Sequence, residues 1–532
     1  MEYCPQDAYF VTTVFITIAF FLTYTSRLRR RTSSHFPPGP PGLPFIGNLL
    51  SVHQFTHRGL AELAKIHGGF FYLRIGLSNV FVVSSPETAR EIVHDNDSVF
   101  SHRPVTAAMV YVSYGLADMA FAHYGPFWRQ MRKLCVLKLF SPRRDVSWRV
   151  VRGEADALIR SVAELPRGSA ASEGCSVGDL VFRFATNVTF RAAFGARSQE
   201  DEKEFVDIIL ELSEIFMAFN VGDYIPCLEW LDLNGIGKRM AAARRALDVF
   251  IDRIIDEHLA KWRNGDDVSA ADMVDDMIAY LIDAPAETGD RRADGVELGD
   301  LRLSRDNIKG LIMARVDNSP DIMFGGTKTV ASTVEWALSE LLRNPDELKR
   351  AQDELAGVVG LNRRVNESDL DNLPHLRCVT KEILRLHPPL PLLLRESLHD
   401  CAIGGYTVPR GSRVWINNWA MARDEALWGH DAAAFRPSRF AAGDGESAGV
   451  EFKGGDFHYL PFGSGRRSCP GMQLGMFAVE LGLAELLHCF DWSLPAWTEP
   501  HEVDMDDVFG LTAPKAVRLC AVPSPRLSCT LF

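Results

Sequence analysis

Three features are absent from this 532-residue sequence, and each absence excludes a class of function. There is no excess of positive charge, because 57 Lys and Arg stand against 69 Asp and Glu, for a net charge of −12. A nucleic-acid-binding protein needs a basic surface to contact phosphates, so that class is excluded. There is no repeat of fixed period, which excludes solenoids and propellers. No G-x-G-x-x-G fingerprint lies between a predicted strand and helix, so the chain carries no dinucleotide site of that kind.

An apolar run near the N-terminus predicts a membrane anchor. Residues 9–24 are apolar apart from threonines, and with their flanks they approach the about 20 residues that span a bilayer. Four arginines between positions 27 and 31 follow, and the positive-inside rule places them and the rest of the chain in the cytosol. A cleaved signal peptide would carry its positive charges before the apolar run. We therefore expect residues 1–31 to form a single membrane-anchor helix with a basic flank.

Behind the anchor, the sequence divides into a short spacer and one large domain. Residues 32–48 contain five prolines, which hold the backbone extended and predict a stiff hinge. Residues 49–532 show no further boundary, and two short apolar segments, 70–76 and 79–85, predict a strand hairpin. We expect a mostly α domain with a minor β-sheet. Its longest predicted helices cover residues 201–219, 236–262, 329–342 and 473–490.

One of the ten cysteines lies in the stretch P-F-G-S-G-R-R-S-C-P-G, just before a predicted helix. None of the cysteine spacings is C-x-x-C, and in a reducing cytosol we expect thiols rather than disulfides. A thiolate near a helix N-terminus has a lowered pKa and can ligate a haem iron, whereas the alternative is a buried structural thiol. Glycines allow the backbone to approach a porphyrin, and an arginine can pair with a propionate. The five positions that define the haem interpretation are Phe462, Gly465, Arg467, Cys469 and Gly471.

With these residues, the sequence resembles the cytochrome P450 haem-thiolate monooxygenases over nearly the whole chain after the anchor. The stretch K-E-I-L-R places Glu382 and Arg385 on one helical face, and F-R-P-S-R-F supplies Arg439. The resemblance implies that these three residues form the structural Glu-Arg-Arg network of the cytochrome P450 fold. It also implies a haem b cofactor, with Cys469 as the axial iron ligand. By the same resemblance, Trp128 and Arg132 of W-R-Q-M-R lie over the haem propionates.

The stretch F-G-G-T-K-T-V resembles the oxygen-activating helix of the family, with two departures. Gly325 and Gly326 are small enough to open a groove for dioxygen, and the hydroxyl of Thr329 can relay protons. The acid that the family pattern places beside this threonine is replaced by Lys328. Just upstream, residues 314–320 interrupt the apolar helical pattern and end in a proline, so we interpret them as an insertion.

Three stretches are similar to the plant phenylpropanoid 5-hydroxylases, which act on ferulate, coniferaldehyde and coniferyl alcohol on the way to syringyl lignin. They cover residues 118–135, 324–342 and 506–519. A flavonoid B-ring hydroxylase is the alternative within the family, since its substrate also presents a phenol. The resemblance places the substrate pocket at residues 105–114 together with Phe324, Gly325, Leu390, Leu392, Leu394, Phe509 and Leu511.

The resemblance also implies a partner and a location. Electrons would come from NADPH through a membrane-bound NADPH–cytochrome P450 reductase, docked on a basic face formed by Arg129, Lys133, Lys138, Arg143 and Arg144. The expected location is the endoplasmic reticulum membrane, with the catalytic domain in the cytosol. Because of Lys328 and residues 314–320, a poorly active or non-catalytic haem protein is a further alternative. A hydroperoxide-rearranging enzyme is a third, which the retained Gly326 and Thr329 disfavour.

Overall fold

The computed structural model describes residues 35–139, 145–165, 174–195, 197–217, 220–225, 235–264, 273–278, 303–313, 322–443 and 445–528, with positions 228, 232 and 280. The predicted anchor at 1–31 and the predicted insertion at 314–320 lie outside the described residues. Across the ranges that are described, no helix combines the length and the apolar character needed to cross a membrane.

Helices make up most of the domain, and many begin at a residue suited to that position. Thr56 and Ser176, for example, precede helices and accept hydrogen bonds from the backbone N–H groups of the first turn. The helices are α1 (His57–His67), α2 (Pro86–Arg90), α3 (Ala107–Val112), α4 (Pro126–Leu134), α5 (Asp145–Ala163), α6 (Val177–Phe194), α7 (Gln199–Met217), α8 (Ile236–Asn264), α9 (Met273–Ile278), α10 (Arg305–Met313), α11 (Ile322–Arg343), α12 (Pro345–Val359), α13 (Pro374–Leu386), α14 (Asn418–Met421), α15 (Glu425–Trp428) and α16 (Met472–Cys489).

Strands form small sheets at the margin of the helical body. The strands are β1 (Phe70–Ile75), β2 (Ser78–Val83), β3 (Cys175–Ser176), β4 (Leu392–Glu396), β5 (Cys401–Ile403), β6 (Tyr406–Val408), β7 (Arg413–Asn417), β8 (Phe490–Ser493) and β9 (Cys520–Pro525). A four-stranded sheet has the order β1-β2-β7-β4, in which β2 and β7 are parallel and the other neighbours antiparallel. The order β3-β9-β8 forms a second sheet, and β5 pairs with β6.

Helix α11 runs through the core and positions the candidate site. It packs along α6, and its buried side chains include Trp336, Leu338 and Leu341. Phe184 of α6 and Leu483 of α16 belong to the same apolar cluster. A helix that is apolar on most sides is one surrounded by other elements, which explains why this segment carries so little charge.

The fold agrees with the sequence-based expectation of a mostly α domain with a minor sheet. The predicted hairpin is confirmed as β1 and β2, whose register pairs Ile75 with Ser78. Three of the long helices agree with prediction to within two residues at each end: α7, α8 and α16. The prediction for the fourth, residues 329–342, was too short. Helix α11 begins at Ile322, because tertiary packing stabilises a start that is rich in glycine and threonine, which are weak helix formers.

The proline-rich segment lies against the sheet over its described part, residues 35–48. The N–H of Tyr72 in β1 donates to the Pro38 carbonyl (2.9 Å), and the N–H of Arg74 donates to the side-chain oxygen of Asn48 (3.0 Å). Asn48 in turn donates to the Pro41 carbonyl (3.2 Å). This part of the predicted hinge is therefore attached to the domain by backbone and side-chain hydrogen bonds.

Candidate active site

Cys469 lies in an irregular loop directly before helix α16. Its N–H donates to the carbonyl of Phe462 (2.9 Å), which closes the loop, and Gly471 is the residue that precedes the helix. Gly465 has a φ of +69°, and a side chain there would meet the carbonyl oxygen of Val93 at 2.5 Å. The sequence of this loop therefore requires glycine for its backbone shape, and the thiol is held next to the positive end of a helix.

Arg132 of helix α4 lies beside this loop and carries an unsatisfied donor. Its Nη2 donates to the hydroxyl of Ser468 (3.2 Å), and its guanidinium lies 5.5 Å from the centre of the Trp128 ring. Its Nη1 is buried and has no hydrogen-bond partner among the described residues. Burial lowers the pKa of Arg132, and a negative charge on Cys469 or Cys135 opposes that shift. The arrangement therefore suits an additional anionic group at Nη1.

Arg467 is fully buried and is surrounded by backbone carbonyl groups. It donates to the carbonyl oxygens of Ser101 (2.8 Å), Met119 (3.1 Å) and Ala122 (2.6 Å). Its guanidinium also lies 4.4 Å from the centre of the Trp128 ring, whose indole N–H donates to Met119 as well (2.8 Å). Most of the donors of Arg467 and the N–H of Trp128 therefore organise the segment before α4. The predicted contacts of these two side chains with haem propionates stay predictions.

Two further buried arginines at this site were not identified from the sequence. Arg103 is 2% exposed, and Arg395 of β4 is fully buried and donates to the carbonyl of Ser464 (3.4 Å) in the cysteine loop. Asp118 is influenced by the charges of both Arg103 and Arg467. Arg395 could have been identified from the sequence, because it is a charged residue inside the apolar strand L-L-L-R-E. A buried charge is costly unless it has a partner, so an arginine at such a position indicates a binding or structural role.

These residues fit a haem group. A thiol ahead of a helix, an arginine with an unsatisfied buried N–H and a set of buried arginines match an iron porphyrin with two carboxylates. Cys469 would hold the iron and Arg132 a propionate. When bound, haem supplies the oxygen-activating iron, and a thiolate ligand favours that chemistry.

The three residues of the predicted structural network meet in the structure, and each has a fully buried side chain. Arg385 donates to both carboxylate oxygens of Glu382 (2.7 and 2.8 Å), and Arg439 donates to one of them (3.1 Å). The remaining donors of Arg385 contact the carbonyls of Ala422 and Ala432 (both 2.6 Å). Helix α13 is thereby connected to the irregular segment before the cysteine loop.

On helix α11, the Thr329 hydroxyl donates to the carbonyl of Gly325 one turn earlier. Its oxygen atom therefore remains able to accept a hydrogen bond. A side chain at Gly326 would meet the Thr189 hydroxyl of α6 at 2.5 Å. Close packing of α6 on α11 thus gives a physical reason for this glycine, and the dioxygen groove stays a prediction.

Lys328 is partly buried on the same helix. Burial lowers the pKa of its amine, the charge of Arg518 acts in the same direction, and Glu214 opposes them. Arg518 itself donates to the buried carboxylate of Glu335 (2.8 Å). Lys328 is therefore in surroundings that favour the neutral amine more than water does.

The predicted pocket residues divide into groups. Leu511 and Val105 pack against a buried apolar cluster of Met109, Ala120 and Phe121. Ala120 and Phe121 lie in a segment that is neither helix nor strand, so no periodic pattern marks them as members of this cluster.

The other predicted pocket residues belong to other parts of the fold, and their place in the pocket stays a prediction. Leu390, Leu392 and Leu394 pack within the apolar clusters of the four-stranded sheet. Phe509 is 42% exposed, and its ring lies 5.7 Å from that of His57. Gly325 is buried in α11, and the side chain of Phe324 lies outside the described part of the structure. An apolar run has the same sequence pattern in a sheet core as in a pocket wall, so the sequence alone does not distinguish these two environments.

Comparisons with known proteins agree with this geometry. The family description Cytochrome P450 matches residues 37–521. Cytochrome P450 84A1 of Arabidopsis thaliana is 51% identical over 98% of this chain and 97% of its own length. Cytochrome P450 84A4 of the same plant is 46% identical over 97% and 98%. A flavonoid 3'-monooxygenase of Crocosmia x crocosmiiflora, CYP75B137, is 39% identical over 96% and 97%.

A solved structure shows the same fold. A zebrafish cytochrome P450 determined with progesterone superimposes with a TM-score of 0.69 at 24% identity, covering 88% of this chain and 99% of that chain. A cysteine loop of the required shape, the buried network behind it and similarity along nearly the whole length therefore agree. The chain belongs to the cytochrome P450 family and is a haem monooxygenase.

Proposed function

We propose that this protein hydroxylates the aromatic ring of phenylpropanoids such as ferulate, coniferaldehyde and coniferyl alcohol, at the carbon meta to the side chain. The observation that carries the proposal is the apolar cluster of Met109, Ala120 and Phe121, against which Val105 and Leu511 pack. A wall of this kind suits a flat methoxyphenol. In the overall reaction, one atom of O2 enters the ring and the other leaves as water, with two electrons from NADPH.

Similarity to relatives supports a phenylpropanoid over a flavonoid substrate. The stretches at 118–135, 324–342 and 506–519 are similar to those of phenylpropanoid 5-hydroxylases. The chain is 51% identical to cytochrome P450 84A1 and 39% identical to the flavonoid 3'-monooxygenase CYP75B137. Flavonoid B-ring hydroxylation is therefore the second candidate.

The side chains of helix α11 would serve proton delivery. Thr329 would hold the last hydroxyl of a relay. Its oxygen can accept a hydrogen bond from a proton donor, and its O–H would turn away from the Gly325 carbonyl to pass a proton on. Lys328 stands where the family pattern has an acid. Burial lowers the pKa of its amine, but a lysine that keeps its proton offers no acceptor to a relay. With a lysine at position 328 in place of the acid, we expect slow proton delivery rather than a complete loss of catalysis.

Electrons would come from an NADPH–cytochrome P450 reductase, because the sequence has no dinucleotide fingerprint of its own. Arg129 and Lys133 are exposed on α4, one turn apart, and would form part of a docking face for an acidic partner. The other basic residues proposed for this face have side chains outside the described part: Lys138, Arg143 and Arg144.

Exposed apolar residues support attachment to the endoplasmic reticulum membrane. Phe45, Leu50 and Leu77 are 54%, 70% and 58% exposed. They lie on one part of the molecule, because Gly76 donates to the carbonyl of Ile46 (3.0 Å), and the N–H of Leu77 donates to the carbonyl of Tyr224 (3.0 Å). Interfacial binding scales with buried apolar area, so this surface would add to the predicted anchor at 1–31.

The test uses membranes that contain the protein and a reductase. The carbon monoxide difference spectrum of the reduced protein is recorded first, and NADPH consumption and hydroxylated product are then measured with coniferaldehyde and with a flavonoid bearing one B-ring hydroxyl. We expect the thiolate spectrum and product from coniferaldehyde. Product from the flavonoid alone would assign the second candidate, and a thiolate spectrum without product from either would refute both substrate assignments.

A further inference from the structure

Residues 118–122 form a buried segment without helix or strand. Asp118, Met119 and Ala120 are fully buried, and Phe121 and Ala122 are nearly so. An irregular segment in the interior must have its backbone N–H and carbonyl groups satisfied by side chains, because no ladder supplies partners.

Two side chains supply many of these partners. One carboxylate oxygen of Asp118 accepts from the N–H groups of Phe121 (2.7 Å) and Ala122 (3.1 Å). Arg467 donates to the carbonyls of Met119, Ala120 and Ala122, at 3.1, 3.3 and 2.6 Å. The segment is therefore held from one side by its own first residue and from the other by a residue two positions before Cys469.

The other carboxylate oxygen of Asp118 is buried and has no hydrogen-bond partner among the described residues. Burial raises the pKa of Asp118 to about 7, whereas the two N–H donors and the charges of Arg467 and Arg103 act in the opposite direction. Leaving a carboxylate in this position is costly, so a residue that only had to fill space would be apolar. The carboxylate thus has a local task, which is to hold the backbone turn at Phe121 and Ala122.

The same segment supplies two residues of the proposed substrate wall. Ala120 and Phe121 form one apolar cluster with Met109, and Val105 and Leu511 pack against it. Arg467 contacts the carbonyl of Ala120 and is itself part of the cysteine loop, two residues before Cys469. A displacement of Phe121 would therefore act on both the pocket and the loop that carries Cys469.

We propose that Asp118 is a positioning residue for substrate: together with Arg467 it fixes Ala120 and Phe121 as a rigid wall and connects that wall to the Cys469 loop. The proposal deepens the proposed function and rests on it for the identity of the substrate. Asp118 does not contact the substrate itself in this account. Its effect is exerted through the backbone of residues 119–122.

The test compares Asp118→Ala, Asp118→Asn and a matched control, Asp97→Asn, in the haem-loaded protein. Asp97 accepts from the side chain and the backbone N–H of Arg466 (2.9 and 3.0 Å), so it is an equally close partner of the same loop with no contact to residues 119–122. Asparagine at 118 retains one oxygen for the two N–H groups but lacks the charge. The alanine variant loses both the acceptor oxygen and the charge.

Two readouts report positioning. The first is amide hydrogen exchange of Phe121 and Ala122, which should become about tenfold faster in Asp118→Ala, because both N–H groups lose their charged acceptor. The second is the ratio of dissociation constants for 4-phenylimidazole and imidazole, measured by the shift of the haem spectrum. Both probes ligate the iron, but only the phenyl group reaches into the pocket.

We expect this ratio and the dissociation constant for coniferaldehyde to rise about tenfold in Asp118→Ala and about threefold in Asp118→Asn. The dissociation constant for imidazole should stay within about twofold of wild type in both variants. In Asp97→Asn, all of these values should stay within about twofold of wild type. An unchanged ratio and unchanged exchange would overturn the proposal. If Asp118→Ala does not load haem, Asp118→Asn decides by the same criteria. If wild-type protein shows no response to coniferaldehyde, the proposed substrate fails, while the azole ratio still decides the role of Asp118.

Discussion

Arg132 of helix α4 donates a hydrogen bond of 3.2 Å to Ser468, the residue that precedes Cys469. The same guanidinium keeps a second buried nitrogen, Nη1, without a hydrogen-bond partner among the described residues. Because a buried unsatisfied donor is costly, the structure is complete only when an anionic group reaches this atom. A haem propionate is such a group.

Replacing Arg132 by alanine should therefore weaken haem retention. The loss of one charge-assisted hydrogen bond corresponds to about 1.5–3 kcal/mol, so haem transfer to an acceptor protein should become about tenfold faster or more. Arg129 is the matched control, since it is exposed on the same helix. Equal transfer rates for Arg132→Ala and Arg129→Ala would show that Arg132 does not bind a propionate.

The buried Glu382 network should dominate the stability of the proximal part of the domain. Glu382→Ala leaves Arg385 and Arg439 buried without their shared carboxylate, and breaking a buried pair in this way costs about 3–5 kcal/mol. Thermal unfolding of the variant should show a large decrease in melting temperature. The control is Asp353→Asn, which removes an exposed ion pair with Lys349 and should change stability by about 0.5 kcal/mol or less. Similar melting temperatures for the two variants would contradict the structural role of the network.

Stability should fall on mild acidification because of His102. Its ring lies 4.5 Å from that of His123, and burial, His123 and Arg467 together lower its pKa from 6.5 to about 4. Between these two values the unfolded chain binds a proton that the folded protein does not, so this contribution to stability is complete above pH 6.5 and is lost as the pH falls toward 4. The melting temperature of His102→Gln should depend less steeply on pH in this window. An unchanged slope would assign the acid sensitivity to other groups.

Lys328 should make the enzyme poorly coupled. A lysine cannot replace the acid of the family pattern as a proton shuttle while it is charged, and its neutral form is favoured only in part by burial. We expect more NADPH to be consumed than product formed, with the difference recovered as peroxide or superoxide. Lys328→Glu should raise product per NADPH several-fold, whereas Lys349→Glu, an exposed change on α12, should not. Equal coupling in wild type and Lys328→Glu would show that Lys328 does not act on the oxygen site.

The sequence predicted the parts of the site that depend on neighbouring residues. The shape of the Cys469 loop follows from the spacing of its glycines, and the Glu382–Arg385 pair follows from helical geometry at i, i+3. The hairpin β1–β2 and the ends of the long helices were predicted for the same reason, since periodicity and turns are local signals.

Contacts between distant residues that no motif of the family marks were not predicted. The segment 118–122 owes its conformation to Arg467, about 350 positions later, so no local pattern marks Asp118 or Phe121. Leu392 and Leu394 show a related ambiguity, because this apolar strand packs within a sheet core and its place in the pocket wall stays a prediction. Local sequence defines which residues are apolar, and only the tertiary arrangement decides which of them face a ligand.

Cys469 is the residue on which the haem site depends, as the expected axial ligand of the iron. The most direct test is the carbon monoxide difference spectrum of the reduced protein, recorded for wild type, Cys469→Ala and Cys135→Ala. Cys135 is the matched control, because it is a buried thiol whose charge would also act on Arg132. We expect the red-shifted Soret band of thiolate ligation in wild type and Cys135→Ala and its absence in Cys469→Ala. A Cys469→Ala protein that retains this band would contradict the account.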